Sequence, residues 1–357
     1  MDRDQFYMRR CLQLARRGAG YVSPNPMVGA VVVCQDRIIG EGYHRCCGEA
    51  HAEVNAIGAV QDERLLSRSI LYVSLEPCAH YGKTPPCAEL IIRKKIPRVV
   101  VGCLDPFEKV SGRGVQLLRD AGIEVVTGVL EKECLQLNRF FMFAQKHRKP
   151  YVVLKWAQSA DGYIDRKRVT AAEPAERFST PVSETMVHRL RSEVDAICVG
   201  AGTVCLDNPS LTVRCWSGKN PLRIVFDRNH TLPRTLHLFA DGLPTWVLTE
   251  TDAADFGNVR FLKSEIKHPA LSDWLSLLAS HQIQSLLVEG GGKLLQRFID
   301  EGCWNEARVE VSEKTIGSGI SAPKLNRFPE EIHPLDTAWI YGFRNPNPDL
   351  TEKKEQE

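Results

Sequence analysis

The chain has 357 residues, which at the usual ~100–200 residues per domain predicts about two domains. Apolar residues make up 43% and charged residues 25%, ordinary values for globular proteins that argue against a disordered chain. The net charge of +2 lacks the basic excess of proteins that track a nucleic-acid backbone, so bulk nucleic-acid binding is disfavoured.

Up to residue 130, helical and strand patterns alternate along the chain. An apolar helical stripe is followed by two β-branched runs that predict a hairpin, and helices and strands then take turns. Such alternation predicts a sheet covered by helices on both faces. The predicted elements are helices at 4–17, 51–60, 86–95 and 112–121, and strands at 28–34, 37–41, 70–75, 98–103 and 123–127.

A charged stretch at 131–149 separates this part from the rest. It is predicted to be helical and ends in the sequence KHRKP, where we place a domain boundary. Strand–helix alternation then restarts, which predicts a second α/β domain. We expect domains at 1–147 and 148–345, and a disordered polar tail at 346–357. The predicted elements of the second domain are strands at 151–156, 196–199, 222–226, 245–248, 285–289, 307–311 and 338–343, and helices at 182–193, 272–280 and 293–301.

His51, Glu53, Cys78 and Cys87 form the most informative pattern of the first domain. One imidazole and two thiolates are good zinc ligands, and three protein ligands leave a tetrahedral position open, as in catalytic sites. Zinc lowers the pKa of a water at that position. Glu53 is close enough in sequence to His51 to carry protons from that water to a departing nitrogen. His-x-Glu followed by Pro-Cys and a second Cys is the zinc-deaminase signature.

Two non-catalytic interpretations of this pattern stay open. Cys46, Cys47 or His80 can complete a structural zinc site, which would make the domain a zinc-stabilised binding module. Alternatively, the two cysteines are core residues beside a surface histidine, as most of the twelve cysteines are expected to be in a reducing compartment.

The spacing between the two cysteines narrows the substrate class. Deaminases of free or polynucleotide bases usually carry Cys-x-x-Cys, whereas eight residues at 79–86 (AHYGKTPP) separate the cysteines here. Lys83 in this insertion suits an anionic substrate such as a phosphate ester, although it can also be a solvated loop charge. Asn25, between two prolines, presents an amide that can bind a base edge, and the same sequence also suits a simple turn.

Four segments of the first domain resemble the deaminase half of the bifunctional riboflavin-biosynthesis deaminase/reductase family. The long insertion between the cysteines is particular to that family, so the resemblance is specific. The segments are 23–30 (SPNPMVGA), 40–44 (GEGYH), 51–54 (HAEV) and 76–87 (EPCAHYGKTPPC).

This resemblance implies a cytidine-deaminase-like α/β/α domain that binds one zinc ion per chain. The implied zinc ligands are His51, Cys78 and Cys87, and Glu53 is the implied catalytic proton shuttle. The residues implied to hold the substrate are Asn25, His44 and Lys83.

The second domain lacks the usual dinucleotide fingerprint. No Gly-x-Gly-x-x-Gly follows a predicted strand, and the alanine variant at 317–322 lacks a following helix, which indicates a turn. A stronger phosphate candidate is 289–293 (EGGGK), where a predicted strand meets a predicted helix and glycines would let a phosphate approach backbone N–H groups.

Three segments resemble the reductase half of the same family: 155–162 (KWAQSADG), 199–214 (VGAGTVCLDNPSLTVR) and 288–291 (VEGG). The resemblance implies a dihydrofolate-reductase-like α/β fold that uses NADPH. The implied cofactor residues are Ala157, Thr203, Asp207 and the segment 291–297 with Gly291, Gly292, Lys293 and Arg297. The implied substrate residues are Lys155, Arg191, Leu211, Arg214 and Glu289, with the arginines on the phosphate. Asp207 is also our candidate for catalytic assistance at the reacting sugar carbon.

This half departs from the family pattern between residues 166 and 179. The family usually has Gly-x-Ser-x-Trp-Ile-Thr there, whereas this chain has AERFST at 175–180, with Arg177 in the place of tryptophan. Ser179 and Thr180 keep the hydroxyl groups. A reductase half inactivated by Arg177 is therefore an alternative.

The resemblance implies two consecutive steps of riboflavin synthesis. The first is hydrolytic deamination of 2,5-diamino-6-(5-phospho-D-ribosylamino)pyrimidin-4(3H)-one. The second is NADPH reduction of the ribosyl group, giving 5-amino-6-(5-phospho-D-ribitylamino)uracil. A nucleic-acid or nucleoside deaminase with a degenerate second domain is a rival function, which the near-neutral charge and the cysteine spacing disfavour.

The expected partners are a small phosphorylated pyrimidine and further copies of the chain, as a dimer or tetramer assembled through the reductase domain. We expect neither nucleic acid nor a membrane as a partner. No apolar stretch approaches the ~20 residues of a membrane helix, and the N-terminal sequence MDRDQ is unlike a secretory signal. These features predict a cytoplasmic protein.

Overall fold

The structure is a computed structural model that describes residues 2–79, 81, 85–106 and 112–348. The chain divides into two compact units, Met1–Lys146 and His147–Glu357. Both units combine helices with sheets, as the sequence predicts. A search of the helices in the described ranges found none with the length and apolarity needed to span a membrane. Residues 349–357 of the predicted tail lie outside the described residues.

The first unit contains one five-stranded sheet. Its strands are β1 (Gly29–Cys34), β2 (Arg37–Tyr43), β3 (Ile70–Leu75), β4 (Arg98–Cys103) and β5 (Glu124–Thr127). The order across the sheet is β2-β1-β3-β4-β5, with β1 antiparallel to both neighbours and β3, β4 and β5 parallel. Its α-helices are α1 (Arg3–Ala15), α2 (Ala52–Gly58), α3 (Cys87–Arg93), α4 (Arg113–Asp120), α5 (Glu131–Leu137) and α6 (Arg139–His147).

Helices cover both faces of this sheet, because successive strand residues point to opposite sides. Val31 and Val33 of β1 belong to one buried cluster, which includes Met8 of α1. Ala30 and Val32 belong to another, formed with residues of α2, α3 and α4. On the second face α2 packs against α3, and the first turn of α3 contacts the segment that follows β3, where the N–H of Ala88 donates to the carbonyl oxygen of Cys78 at 3.2 Å.

The second unit contains a nine-stranded sheet in the order β11-β10-β9-β8-β12-β6-β13-β16-β15, and a separate pair of β7 with β14. The strands from β11 to β13 in this order run parallel, and β16 and β15 complete one edge in antiparallel fashion. The strands are β6 (Tyr151–Gln158), β7 (Tyr163–Asp165), β8 (Ala196–Gly200), β9 (Leu222–Phe226), β10 (Thr245–Thr249), β11 (Val259–Lys263), β12 (Ser285–Glu289), β13 (Glu306–Ser312), β14 (Ile320–Ser321), β15 (Glu331–Leu335) and β16 (Ala338–Arg344). The helices are α7 (Pro181–Glu193), α8 (Ala201–Asp207), α9 (His237–Ala240), α10 (Leu271–Ser280) and α11 (Gly292–Asp300).

The structure differs from the predicted elements in two ways. The helical stretch predicted at 131–149 is confirmed, but it forms two helices, α5 and α6, because the backbone leaves helical geometry at Asn138, with φ −98° and ψ 19°. Six elements were not predicted: β7, β11, β14, β15, α8 and α9. Several of these have weak local signals, since α8 begins Ala-Gly-Thr-Val and β15 contains a proline and is largely exposed.

Candidate active sites

The first site lies where α2 and α3 begin. His51 caps α2, Cys87 opens α3, and Cys78 follows β3. Their donor atoms all lie within 4.8 Å of one another, and Nδ1 of His51 is 3.3 Å from Sγ of Cys87 and 3.6 Å from Sγ of Cys78. One ring nitrogen and two sulfurs gathered in this way fit a tetrahedral zinc ion with one open position.

The donor cluster contains three residues within the part of the chain that the structure describes. Cys46 and Cys47, which the sequence left open as further ligands, are not members of it. His80, the remaining alternative, lies outside the described residues. Among the described residues the donor set is thus the three-ligand set of a catalytic site, and neither Cys46 nor Cys47 closes it.

The surroundings of Cys78 favour its thiolate. Hydrogen bonds lower the pKa of the Cys78 thiol well below its ordinary value. The largest contribution comes from the Cys87 side chain, followed by the His51 ring and the backbone N–H of Cys87. The backbone N–H of Cys87 lies 3.3 Å from Sγ of Cys78. A thiolate is the form that binds zinc, so these contacts favour Cys78 as a metal ligand.

Glu53 lies in the first turn of α2 and is only 3% exposed. The pKa of its carboxyl is raised from 4.5 to about 7, mainly because the group is buried and to a smaller extent because of the neighbouring charge of Cys78. Hydrogen bonds from its own backbone and from Cys87 partly oppose this rise. A carboxyl that titrates near neutrality can both accept and donate a proton, as general acid–base catalysis requires.

Asn25 and His44 lie side by side near the zinc-type donors. Nδ1 of His44 is 3.1 Å from the carbonyl oxygen of Ala50, so this nitrogen donates and Nε2 accepts from the Asn25 amide at 3.0 Å. Burial lowers the pKa of His44, which favours this neutral tautomer. The His44 and His51 rings meet edge to face at 5.6 Å. Lys83, the third residue implied to bind substrate, lies outside the described residues.

Glu76 is a buried residue that the sequence motif contained but whose contacts could not be foreseen. Its two carboxylate oxygens accept four backbone hydrogen bonds, of 2.8 to 3.2 Å. It therefore ties the segment that carries Cys78 to the start of α4. The donors are the N–H groups of Asp105, Gly112, Gly114 and Val115.

The second unit contains a cavity of about 1060 Å³ at the carboxyl ends of β6, β8, β9 and β12. This is the edge at which parallel α/β sheets bind ligands. Arg214 is not among the cavity-lining residues, and its exposed guanidinium instead donates to Oγ1 of Thr212 at 3.1 Å. The other sequence-predicted reductase residues all line the cavity: Lys155, Ala157, Arg191, Thr203, Asp207, Leu211, Glu289, Gly291, Gly292, Lys293 and Arg297.

The glycine segment after β12 forms one wall of this cavity. Gly290 and Gly291 adopt φ values of 78° and 72°, in the left-handed region that favours glycine. A Cβ at Gly291 would lie 2.9 Å from Oγ1 of Thr203, so a side chain there would clash. The open backbone at the start of the nine-residue helix α11 provides N–H groups suited to phosphate.

Arg191 makes a two-point ion pair with Glu289. Its Nε and Nη2 lie 2.9 Å and 2.6 Å from the two carboxylate oxygens, and Nη1 donates to Thr212 O at 3.0 Å. Burial alone would raise the pKa of Glu289, but the charge and hydrogen bonds of Arg191 lower it overall. Much of the Arg191 guanidinium is thus occupied by protein partners, which leaves fewer donors for a substrate phosphate.

Arg168 was not predicted as a site residue, yet it pairs directly with Asp207. Its Nε also donates to Asp165 at 2.7 Å, and its side chain is only 7% exposed. Arg168 belongs to the segment that departs from the family pattern, and Arg177 of that segment also lines the cavity. The sequence offers no signal for the pair, since 38 intervening residues separate the two partners.

Two family models match the chain and together span both units. Residues 1–103 match the cytidine and deoxycytidylate deaminase zinc-binding region, and residues 150–335 match the RibD C-terminal domain. Riboflavin biosynthesis protein RibD of Bacillus amyloliquefaciens is 40% identical over 331 residues, covering 90% of this chain and 87% of the relative. The protein of the same name from Escherichia coli K12 is 34% identical over 333 residues, covering 88% and 89%.

Solved structures give the same result for the fold. A diaminohydroxyphosphoribosylaminopyrimidine deaminase/5-amino-6-(5-phosphoribosylamino)uracil reductase from Thermotoga maritima aligns with a TM-score of 0.87 at 35% identity, covering 96% of this chain and 98% of that one. A form of Acinetobacter baumannii RibD aligns with a TM-score of 0.84 at 32% identity and the same coverage. These matches confirm the cytidine-deaminase-like first fold and the reductase fold of the second.

Proposed function

The chain belongs to the RibD family of bifunctional riboflavin-biosynthesis deaminase/reductases, and from this membership we propose how its residues perform the two reactions. The enzyme hydrolyses the 2-amino group of 2,5-diamino-6-(5-phospho-D-ribosylamino)pyrimidin-4(3H)-one and releases ammonia. It then uses NADPH to reduce the ribosyl group, giving 5-amino-6-(5-phospho-D-ribitylamino)uracil. Residues 1–147 perform the deamination and residues 148–345 the reduction.

The observation that carries the deaminase assignment is the three-donor cluster with a buried carboxyl beside it. His51, Cys78 and Cys87 hold one zinc ion, which when bound makes water at its open position more acidic. Glu53 accepts a proton from the attacking water and passes it to the nitrogen that leaves as ammonia. The oxygen of that water becomes the new carbonyl oxygen of the ring, and its second proton ends on the adjacent ring nitrogen.

Asn25, His44 and Lys83 hold the substrate. The Asn25–His44 hydrogen bond fixes the Asn25 amide next to the donor cluster. Because His44 takes one amide N–H, the carbonyl oxygen and the second N–H of Asn25 can read the edge of the pyrimidine. Lys83 supplies positive charge for the phosphate, as the family resemblance implies.

The reduction takes place in the cavity of the second unit. NADPH, when bound, supplies the hydride. The N–H groups at Gly291, Gly292 and Lys293, with Thr203 beside them, hold cofactor phosphates. Ala157 and Arg297 complete the cofactor side of the cavity.

The substrate side is formed by Lys155, Arg191, Leu211 and Glu289, which line the same cavity. Arg214, which the resemblance also implies for the phosphate, lies outside this cavity and donates to Thr212, so we assign it no contact with the substrate here. Asp207 stands near the reacting sugar carbon. The hydride adds to this carbon as one of its C–O bonds breaks. The oxygen of that bond keeps the electron pair and takes up a proton. The carboxylate of Asp207 orients the sugar during this step.

One experiment tests both assignments. Purified protein is incubated with the diaminopyrimidine and NADPH, ammonia and NADPH are followed separately, and zinc is measured. We expect about one zinc per chain, ammonia release without NADPH, and NADPH oxidation that depends on the deaminated product. Ammonia release without any NADPH oxidation would identify the reductase half as inactive, the alternative raised by Arg177.

Two wider assignments are part of this proposal. The enzyme assembles as a dimer or tetramer through its reductase domain. Light scattering tests this by comparing the mass of the full chain with that of a variant that ends at residue 147 and lacks the reductase domain. It acts in the cytoplasm, which cell fractionation tests.

A further inference from the structure

The buried side chain of Asn138, near the C-terminal end of the first unit, holds the loop that carries Asn25. Asn138, between α5 and α6, is 2% exposed, and both ends of its amide bond the backbone of Met27. We propose that Asn138 is a positioning residue for the deamination, which sets where Asn25 meets the pyrimidine. This inference rests on the proposed role of Asn25 in substrate binding.

The contact has the geometry of a matched pair of hydrogen bonds. Oδ1 of Asn138 accepts from the N–H of Met27 at 2.8 Å, and Nδ2 donates to the carbonyl oxygen of Met27 at 2.9 Å. The two residues are 111 positions apart in the chain. Both backbone groups of Met27 are thereby satisfied by one side chain, so its position follows that of Asn138.

Met27 controls Asn25 through a short and stiff connection. Only Pro26 separates them, and its ring fixes one backbone torsion and restricts that of the preceding residue. On the other side of Asn25, its N–H donates to Val22 O at 2.8 Å, and its side chain bonds His44 at 3.0 Å. A displacement at Met27 would therefore be transmitted to the Asn25 amide rather than absorbed by a flexible loop.

The requirement is specific for asparagine. Aspartate has the same shape, but it lacks the N–H donor and would place a carboxylate oxygen against the Met27 carbonyl. Alanine removes the buried Asn138 amide and leaves both backbone groups of the half-buried Met27 without that partner. The two variants thus remove the contact by different means, one with and one without a loss of packing volume.

The test compares Asn138→Asp and Asn138→Ala with the wild-type holoenzyme, using the diaminopyrimidine as substrate. We expect KM for ammonia release to rise on the order of tenfold, with a smaller change in kcat, because the loss falls on substrate placement. Zinc content and the kinetics of NADPH oxidation on the deaminated product should stay at the wild-type values. These last two readouts also verify that each variant is folded.

Asn305→Ala is the matched control. Asn305 is also a buried asparagine whose Oδ1 accepts a backbone hydrogen bond, from Val152 at 2.7 Å, but it lies in the second unit. It should leave KM for ammonia release unchanged. An equal rise in KM for the control would overturn the proposal, because the effect would then follow from lost stability alone.

A double-mutant cycle with Asn25→Ala supplies the readout that a merely structural role would not move. If Asn138 acts through Asn25, adding Asn138→Asp to Asn25→Ala should change KM by less than about twofold. Independent, multiplying effects would overturn the positioning role. If Asn25→Ala alone leaves KM unchanged, the proposed role of Asn25 fails and this inference fails with it. If Asn25→Ala raises KM and both Asn138 variants do not, only the inference about Asn138 fails.

Discussion

Replacing Glu53 by glutamine tests the central chemical assignment with the least change in shape. Burial raises the pKa of this carboxyl from 4.5 to about 7. At 1.36 kcal/mol per pKa unit, this shift means that the protonated form is favoured over the carboxylate by about 3 kcal/mol more in the folded site than in water. This preference applies to the metal-free site; during turnover a carboxyl can take up and release a proton, whereas an amide of the same size cannot.

The expected loss follows from the role of Glu53 as a proton carrier. General acid–base catalysis contributes about 10²–10⁴-fold, or about 3–5 kcal/mol of barrier, so Glu53→Gln should lower kcat for ammonia release by about that factor. Zinc content should stay at the wild-type value, since Glu53 is not one of the three clustered donors. NADPH oxidation on the deaminated product should also be unchanged and serves as the internal control.

The same carboxyl predicts a pH dependence of stability in protein stripped of metal. Its folded pKa of about 7 exceeds its ordinary value of 4.5. The folded state thus binds the proton more tightly than the unfolded state, and stability from this group is present below pH 4.5 and is lost as pH rises through 7. Thermal unfolding of chelated wild-type and Glu53→Gln protein across this range should show the difference.

The reasoning about Glu53 has a clear failing outcome. Ammonia release by Glu53→Gln within about threefold of wild type, at full zinc content, would show that the carboxyl does not carry the proton. A matching pH slope of unfolding in the two metal-free proteins would show that burial does not raise its pKa.

Substitutions at three further residues test contacts seen only in the folded protein. Glu76→Ala leaves four backbone N–H groups without their acceptor and should lower the free energy of unfolding by about 2–5 kcal/mol in urea titration; a loss below about 0.5 kcal/mol would contradict its anchoring role. Glu289→Ala leaves the largely buried charge of Arg191 without its partner. This should lower the free energy of unfolding by about 3–5 kcal/mol and abolish NADPH oxidation, and retained NADPH oxidation would refute the importance of the pair. Arg168→Ala removes the partner of Asp207 and should slow NADPH oxidation about tenfold with ammonia release unchanged. Arg168→Lys should keep only part of the wild-type rate of NADPH oxidation, because lysine lacks the planar guanidinium. Equal rates of NADPH oxidation in the wild type and both variants would argue against the contact.

Local patterns were most informative where the chain is buried on both sides. The strands predicted at 70–75 and 98–103 have these same bounds in the structure, because both are continuous apolar runs in the middle of the sheet. The helical stretch predicted at 131–149 is also present, but its break at Asn138 has no such local signal. A single asparagine in it has a distant partner, Met27, which no local periodicity can reveal.

The amino-acid sequence by itself determined the chemistry available to this protein: an imidazole, two thiolates and a carboxyl in deaminase order, a glycine segment between a strand and a helix, and membership of a family. These are properties of residue type and spacing, which are read directly from the chain. Only the tertiary structure decided which of these groups meet. It brings His51 to Cys78 and Cys87, pairs Arg168 with Asp207, and leaves Arg214 outside the cavity wall. The physical reason is that distances between residues far apart in the chain are set by how helices pack on a sheet, and that packing depends on all the buried side chains together.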